Sequence, residues 1–356
     1  MNFGHVSSTA DKARIIPYTL RFKRPAGTSR GILTEKQTYF LILEKDGKRG
    51  IGEIALFRGL SAEDKPDFEK TLQKLKKFIF LPLKNLLEEF KNHSSIIFGL
   101  EQAILSLHSE DPFLLFPSAF TAGKEPISIN GLIWMGDQSF MLRQIDEKIA
   151  QGFHVIKMKI GALDFATELK ILAYIREHFS DKDLEIRVDA NGAFSPRDAF
   201  QKLEQLAEFD LHSIEQPIGP GQWEDLARLC EISPVPIALD EELIGKPLDF
   251  DRRAFLELMR PHYIILKPSL HGGMTGSDAW IDAAENTGTG WWITSALESN
   301  IGLNALAQYA FFKGVERPQG LGTGSLFVNN FPSPLYVKSG ALHYNPTETW
   351  EIPLPL

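Results

Sequence analysis

Between Gly152 and Gly161 the chain reads Phe153-His154-Val155-Ile156-Lys157-Met158-Lys159-Ile160, an apolar, β-branched run closed by glycines. Such a run predicts a buried strand. Side chains alternate along a strand, so Phe153, Val155, Lys157 and Lys159 share one face, with His154, Ile156, Met158 and Ile160 on the other. Two ammonium groups at the end of an otherwise apolar face are costly unless anions or a cavity receive them. Taken alone, the run also fits an edge strand whose lysines face solvent.

Upstream, residues 15–22, 37–44 and 49–55 predict antiparallel strands, the last two joined by the Asp46-Gly47 turn. The polar, glycine-containing stretch 24–31 reads as a mobile loop. Residues 62–78 and 94–109 read as helices; in the second, Ile97, Leu100, Ala103, Ile104 and Leu107 fall on one face. This grammar suggests an α+β domain over 1–120.

Beyond it, strands at 127–135, 153–161, 184–189, 211–215, 236–240, 262–267, 291–295 and 320–322 alternate with helices at 139–151, 165–179, 222–232, 250–259, 276–286 and 301–312. A further helix opens at Ser195-Pro196, with an N-cap serine and proline in first position. Strand ends recur at 159, 189, 215, 240, 267 and 295, in steps of 30, 26, 25, 27 and 28. The fold class expected is α/β: a (β/α)8-type, TIM-like barrel over 121–325 behind an N-terminal α+β capping domain. No glycine-rich nucleotide signature follows an early strand, which argues against an open doubly wound sheet. Segment 326–356, with five prolines, is expected to pack back on the N-terminal domain.

Composition narrows the class. Hydrophobic and charged fractions of 43% and 24% are those of a globular protein. A net charge of −8 without a basic block argues against nucleic acid as partner. The single cysteine, Cys230, excludes an internal disulfide framework and a multi-cysteine zinc site. No apolar run long enough for a transmembrane helix and no secretory signal pattern is visible, so a cytoplasmic enzyme acting on a small molecule, away from membranes, is expected. A homo-oligomer is left open.

Five successive strand candidates end in ionisable residues: Lys157 and Lys159; Asp189, followed by Asn191; Glu215; Asp240, followed by Glu241; and Lys267. In a β/α barrel the C-terminal rim of the strands carries the chemistry. The three acids sit at one level on consecutive strands, and neighbouring strands are about 4.8 Å apart. Three such anions repel unless a hard divalent cation joins them. An all-oxygen donor set points to Mg2+, with Mn2+ as substitute, and away from zinc. Lysines on either side of that centre suit proton abstraction next to a carboxylate, with burial and nearby cations expected to lower a lysine toward the range of a general base.

The combination Lys157-Met158-Lys159, Asp189-Ala190-Asn191, Ile214-Glu215-Gln216-Pro217, Asp240-Glu241, Ile265-Leu266-Lys267-Pro268 and Ser295-Ala296-Leu297-Glu298-Ser299-Asn300-Ile301-Gly302 resembles the enolase superfamily, muconate-lactonising subgroup. Gly50-Ile51-Gly52-Glu53 and Phe98-Gly99-Leu100-Glu101-Gln102-Ala103 resemble its N-terminal domain, so the likeness covers nearly the whole chain. The subgroup includes o-succinylbenzoate synthases, dipeptide epimerases, N-acylamino acid racemases and muconate cycloisomerases. Epimerases carry an Asp-x-Asp pair at the eighth strand; here 319–327 holds no acid, which argues against a cationic substrate end. The stretch 322–330 and the short N-terminal domain resemble the o-succinylbenzoate synthase branch.

That resemblance implies a lyase of menaquinone biosynthesis. It would dehydrate 2-succinyl-6-hydroxy-2,4-cyclohexadiene-1-carboxylate through α-proton abstraction and an enediolate, with epimerase or racemase activity as the alternative. It further implies Lys159 as base and then acid, Lys267 as electrostatic partner across the ring, and Asp189, Glu215 and Asp240 as ligands of Mg2+. Lys157 would bind the substrate carboxylate or tune Lys159, Asn191 would meet the substrate from behind the ligands, and Glu241 would stand behind the ligands. Ser295, Glu298 and Ser299 are candidates to line the pocket, with helix capping an equal reading for Ser299. Ser29 and Arg30 lie in the early loop, which in this superfamily closes over the site; Ser29 is a candidate to bind substrate, with solvent exposure as the other reading. His108, His212 and His262 read as structural, and Trp291 and Trp292 as barrel packing.

Overall fold

The computed structural model describes residues 10–28 and 31–352. The first three strands, β1 (Lys12–Thr28), β2 (Gly31–Lys45) and β3 (Lys48–Ile54), form an antiparallel sheet in that order. Three helices follow: α1 (Phe68–Phe78), α2 (Leu83–Glu89) and α3 (Ser94–His108). α3 lies against β3 with almost no room between backbones. A Cβ at Gly52 would sit 2.0 Å from the Gly99 carbonyl oxygen, so the glycine is a condition of that contact.

The loop expected at 24–31 is largely strand. Its residues extend β1 and β2 into a long hairpin, with register pairs Ala26–Leu33 and Thr28–Gly31 beyond an irregularity between Arg21 and Ala26. Ser29 and Arg30 lie outside the described residues. The first helix starts at Phe68 rather than near 62, since Pro66 disfavours helical backbone at Lys65 before it; the Glu63 carboxylate in this stretch accepts from the Ser95 amide at the start of α3.

The second part alternates as the spacing predicts. It comprises β4 (Ile127–Ser128), β5 (Gly131–Ile133), α4 (Gln138–Ala150), β6 (Val155–Lys159), α5 (Phe165–His178), β7 (Glu185–Asp189), α6 (Pro196–Ala207), β8 (Ser213–Glu215), α7 (Trp223–Ile232), β9 (Ile237–Leu239), α8 (Arg252–Met259), β10 (Tyr263–Leu266), α9 (Gly273–Thr287), β11 (Gly290–Ile293) and α10 (Asn300–Phe312). Strands β5 to β11 make one seven-stranded parallel sheet in sequence order. The eighth expected strand is reduced to Gln319 and Gly320, which form parallel bridges to Ile129 on one side and Thr294 on the other. No helix among the described residues is long and apolar enough to cross a membrane.

Alternation in β6 gives each face its own task. Ile156, Met158 and Ile160 are buried in the core between sheet and helices, while Lys157 and Lys159 reach the interior cavity. Two residues before Asp240, Lys267 and Thr294, the side chains of Ala238, Ile265 and Trp292 form a buried apolar cluster, with the Arg187 guanidinium 4.4 Å over the Trp292 ring. Ser195 caps its helix as expected, and the side chains of Asp137, Asp164 and Asp251 likewise each accept an amide hydrogen bond from the helix they open.

The tail divides instead of packing wholly on the N-terminal part. Leu326 and Val328 hydrogen-bond along β1 through Lys23 and Arg21. Then β12 (Leu335–Lys338) pairs with β13 (Ala341–Tyr344), and β13 pairs with β4, bringing Leu342 and Tyr344 into the core of the second part.

Candidate active site

β6, β7 and β8 are in register so that Lys159, Asp189 and Glu215 lie side by side; Asp240 follows the end of β9 and Lys267 the end of β10. Tight backbone follows two of the acids. Asn191 and Gln216 both have positive φ, 44° and 40°, a conformation uncommon outside glycine. Gln216 converts its strain into order: its side-chain oxygen accepts from the amides of Asp240 and Glu242, and its amide donates to the Ile218 carbonyl. It ties the strand end of Glu215 to that of Asp240, a role invisible in the sequence, where it was only a letter in a motif.

The acids and lysines interlock. Lys157 Nζ is 2.9 Å from Asp189 Oδ2 and also bonds Glu215 Oε2. Lys159 Nζ donates to Asp189 Oδ2 at 2.8 Å and Asn191 Oδ1 at 2.7 Å. Asn191 passes the contact on, its amide donating to Glu241 Oε1 at 2.9 Å. Lys267 donates to Asp240 Oδ2. Asp189, Glu215 and Asp240 are all buried.

Charge sorts these carboxylates. Burial alone would raise Asp189, but the ammoniums of Lys157 and Lys159 outweigh it and hold the group below the usual carboxylate range. Asp240 is lowered likewise, chiefly by Lys267 against its burial. Glu215 goes the other way: burial and the Asp189 charge push it well above the usual range. Among the lysines, burial would depress Lys157 and Lys267, yet Asp189, Glu215 and Asp240 raise the first, and Asp240 and Glu215 the second. The expectation that cations and burial bring a lysine down is therefore not met at these two, where adjacent carboxylates dominate.

These groups lie at the base of a cavity of about 470 Å³. Lys157, Lys159, Asn191, Glu241, Lys267 and Ser295 line it, with apolar walls from Phe22, Phe57, Leu132, Trp134 and Leu297. Asp189, Glu215 and Asp240 sit behind the lysines and do not line it. Glu298 does not line it either. It is fully buried and accepts from Ser269 Oγ, Ser295 Oγ and the Ala296 amide, so it shapes the wall instead of meeting a ligand. Ser299 caps α10, accepting from the Ile301 amide while its hydroxyl donates to Glu53.

No group of three or more His, Cys, Asp or Glu side chains among the described residues is arranged to hold a metal; Lys157 bridges Asp189 and Glu215, and Lys267 bonds Asp240. The donor chemistry nevertheless fits a hard cation. Glu215 Oε1 and Asp240 Oδ1 are buried carboxylate oxygens without a hydrogen-bond partner, on neighbouring strands.

Over residues 141–346 the chain matches the enolase C-terminal domain-like family, and it belongs to that family. Within it, the chain is 47% identical over 354 residues to the o-succinylbenzoate synthase of Desulfotalea psychrophila, covering 91% of this chain and 96% of that one. The crystal structure of MenC from the same organism superposes with a TM-score of 0.82 at 43% identity, covering 93% and 99% of the two chains. The muconate lactonizing enzyme of Pseudomonas fluorescens shares the fold at 20% identity, with a TM-score of 0.82 and 97% of each chain covered.

Proposed function

We propose that this chain is an o-succinylbenzoate synthase, a hydro-lyase that dehydrates 2-succinyl-6-hydroxy-2,4-cyclohexadiene-1-carboxylate. The observation that carries the reading is Lys159: it faces the cavity while bonded to Asp189 and Asn191, in a chain 47% identical to a named synthase. The neutral amine of Lys159 takes the proton α to the ring carboxylate, breaking the C–H bond. The electron pair enters the ring and the C–O bond to the hydroxyl breaks. Lys159 returns its proton to the departing hydroxide, which leaves as water. Lys267 and Lys157 offer positive charge to the carboxylate as negative charge builds on it, and Asn191 orients Lys159. Asp189, Glu215 and Asp240 would hold a divalent cation, Mg2+ by the hardness of its oxygen donors, and that ion supplies further charge stabilisation of the same carboxylate.

The fold reading follows the same lines. The bridges of Gln319 and Gly320 to Thr294 and Ile129 support a barrel closed by a vestigial eighth strand, over 121–325. Residues 1–120 would cap it, with the hairpin of β1 and β2 lying over the cavity through Phe22 and Ala26.

The test measures kcat/KM of purified protein for the dehydration, for epimerisation of a dipeptide and for racemisation of an N-succinyl amino acid. Dehydration is expected to dominate, and Lys159→Ala to lower it by about 10³-fold or more with an unchanged unfolding midpoint. Retained dehydration in that variant, or a larger epimerase kcat/KM in the native chain, would refute the assignment.

A further inference from the structure

Glu168 is a buried carboxylate that sits on a helix without serving as its cap. It lies in the first turn of α5 and is 2% exposed. Asp164 already caps that helix, its side chain accepting from the Thr167 amide at 3.0 Å and from the Thr167 hydroxyl. Glu168 reaches back instead to the loop before the helix. Its Oε1 accepts from the amides of Gly161 at 2.6 Å, Ala162 at 3.2 Å and Leu163 at 3.2 Å. Its Oε2 is buried with no hydrogen-bond partner among the described residues. Three consecutive amides on one oxygen make a nest whose anion the chain supplies itself. Gly161 and Ala162 are exposed, so the carboxylate provides a hold that burial does not.

The place of this loop gives the contact its meaning. Gly161 stands two residues after Lys159, at the end of β6. Between them the Ile160 amide donates to the Asp189 carbonyl at 2.9 Å. Gly161 then turns with a φ of 92°, and a Cβ there would stand 2.5 Å from Ala193 Cβ. The loop therefore lies directly against the turn that carries Asn191. Asn191 Oδ1 and Asp189 Oδ2 are the two acceptors of Lys159 Nζ, at 2.7 and 2.8 Å. A shift of the loop moves the backbone of Lys159 relative to both.

We infer that Glu168 is a positioning residue for Lys159: its carboxylate gathers the amides of 161–163 and fixes the end of β6 against the turn of Asn191. An amine that transfers a proton tolerates little displacement, since an error of about 1 Å costs up to roughly 10²-fold in rate. Neither Glu168 nor residues 161–163 line the cavity, so the walls that meet the substrate stay in place when the carboxylate is removed. The loss therefore falls on kcat and spares KM. The inference rests on the functional reading above for its kinetic arm only.

The test compares three variants. Glu168→Leu removes the acceptor, Glu168→Gln keeps Oε1, and Asp164→Ala removes the cap of the same helix while leaving the loop amides their partner. Two readouts are taken on folded protein: kcat and KM for the dehydration, and amide hydrogen exchange across residues 160–164 and 190–194. For Glu168→Leu, kcat should fall about tenfold to a hundredfold with KM within about threefold of native, and exchange should quicken at least about tenfold in both stretches. Glu168→Gln should stay within about threefold of native in every readout, and Asp164→Ala should lower the unfolding midpoint while keeping kcat within about twofold. A kcat within twofold of native for Glu168→Leu, a glutamine variant as impaired as the leucine one, or an equal loss of kcat in Asp164→Ala would overturn the inference. Exchange decides the matter even if the native protein fails to dehydrate this substrate, an outcome that sinks the functional reading alone: rates unchanged by Glu168→Leu in both stretches overturn the positioning role.

Discussion

Replacing Glu101 by alanine should cost the protein a large share of its stability, although the residue is remote from the chemistry. Glu101 lies on α3, fully buried, and its carboxylate accepts from the amides of Met274 at 2.6 Å and Thr275 at 3.1 Å and from the Thr275 hydroxyl. These are first-turn donors of α9, whose N-cap, Gly272, offers no side chain of its own. The fit is close: a Cβ on Gly273 would sit 2.4 Å from Glu101 Oε2, and its φ of +72° also asks for glycine. Alanine at 101 strands two N–H groups and one O–H in a buried place. Burial pushes Glu101 up to about 7, so the comparison is made at pH 8.5, where the carboxylate is charged; hydrogen bonds to a charged acceptor contribute roughly 1.5–3 kcal/mol each, and the helix terminus adds up to about 1. Allowing for water entry, Glu101→Ala should lose roughly 3–5 kcal/mol. Glu101→Gln keeps one acceptor oxygen and should lose about half as much. Urea unfolding followed by far-UV circular dichroism and by fluorescence measures both; Trp280, buried within α9, should report the helix directly. A loss below about 1 kcal/mol for the alanine variant, or equal losses for both, would show that the clamp is not what holds α9 to α3.

Two further outcomes follow from charge. Excess Mg2+ should raise the unfolding midpoint and chelator should reverse it, by about 2.7 kcal/mol at one hundred times Kd, with Asp189→Asn, Glu215→Gln and Asp240→Asn each abolishing the response; an unresponsive native chain would remove these acids as ligands. His212, stacked on Tyr263 at 4.8 Å, is pushed down to about 4 by burial, against the pull of Glu185. Its folded value lies below the ordinary 6.5, so the neutral form stabilises the fold above that pH, and the contribution fades as pH falls through 4. The loss should reach about 2–3 kcal/mol, and His212→Asn should flatten stability between pH 7 and 4; an unchanged pH profile would refute it.

How far the sequence could be read depended on the range of the interaction. The two lysines of β6 were legible because alternation is local: Lys157 and Lys159 had to share a face whatever the rest of the chain did. The acids at 189, 215 and 240 were legible because the repeat brings strand ends to one rim. That the lysines would stand between the acids and the cavity was not legible, since side-chain reach and pairing are settled only when neighbouring strands meet. Nor could Glu298 be separated from Ser295 as a pocket residue; it took the buried hydroxyls of Ser269 and Ser295 to turn its carboxylate away. Glu53 and Glu101 were read only as letters of a resemblance. Their partners lie 246 and 173 positions away, beyond any periodicity argument.

Those two glutamates change what the N-terminal part contributes. α9 begins just after Lys267, and α10 begins at the loop that supplies Ser295 and Leu297 to the cavity. Both helix starts are anchored from outside the parallel sheet. Glu101 receives the first amides of α9, and Glu53 receives the amides of Ser299 and Gly302 and the Ser299 hydroxyl at α10. A buried carboxylate suits the electropositive end of a helix better than water or a neutral cap could. A rim loop can be no more rigid than the helix start that terminates it. The sheet of β1 to β3 and the helix α3 therefore set the position of two walls of the cavity, besides lining it through Phe22 and Ala26 of the hairpin. Variation in the N-terminal part can then reach substrate selection without touching a single strand end.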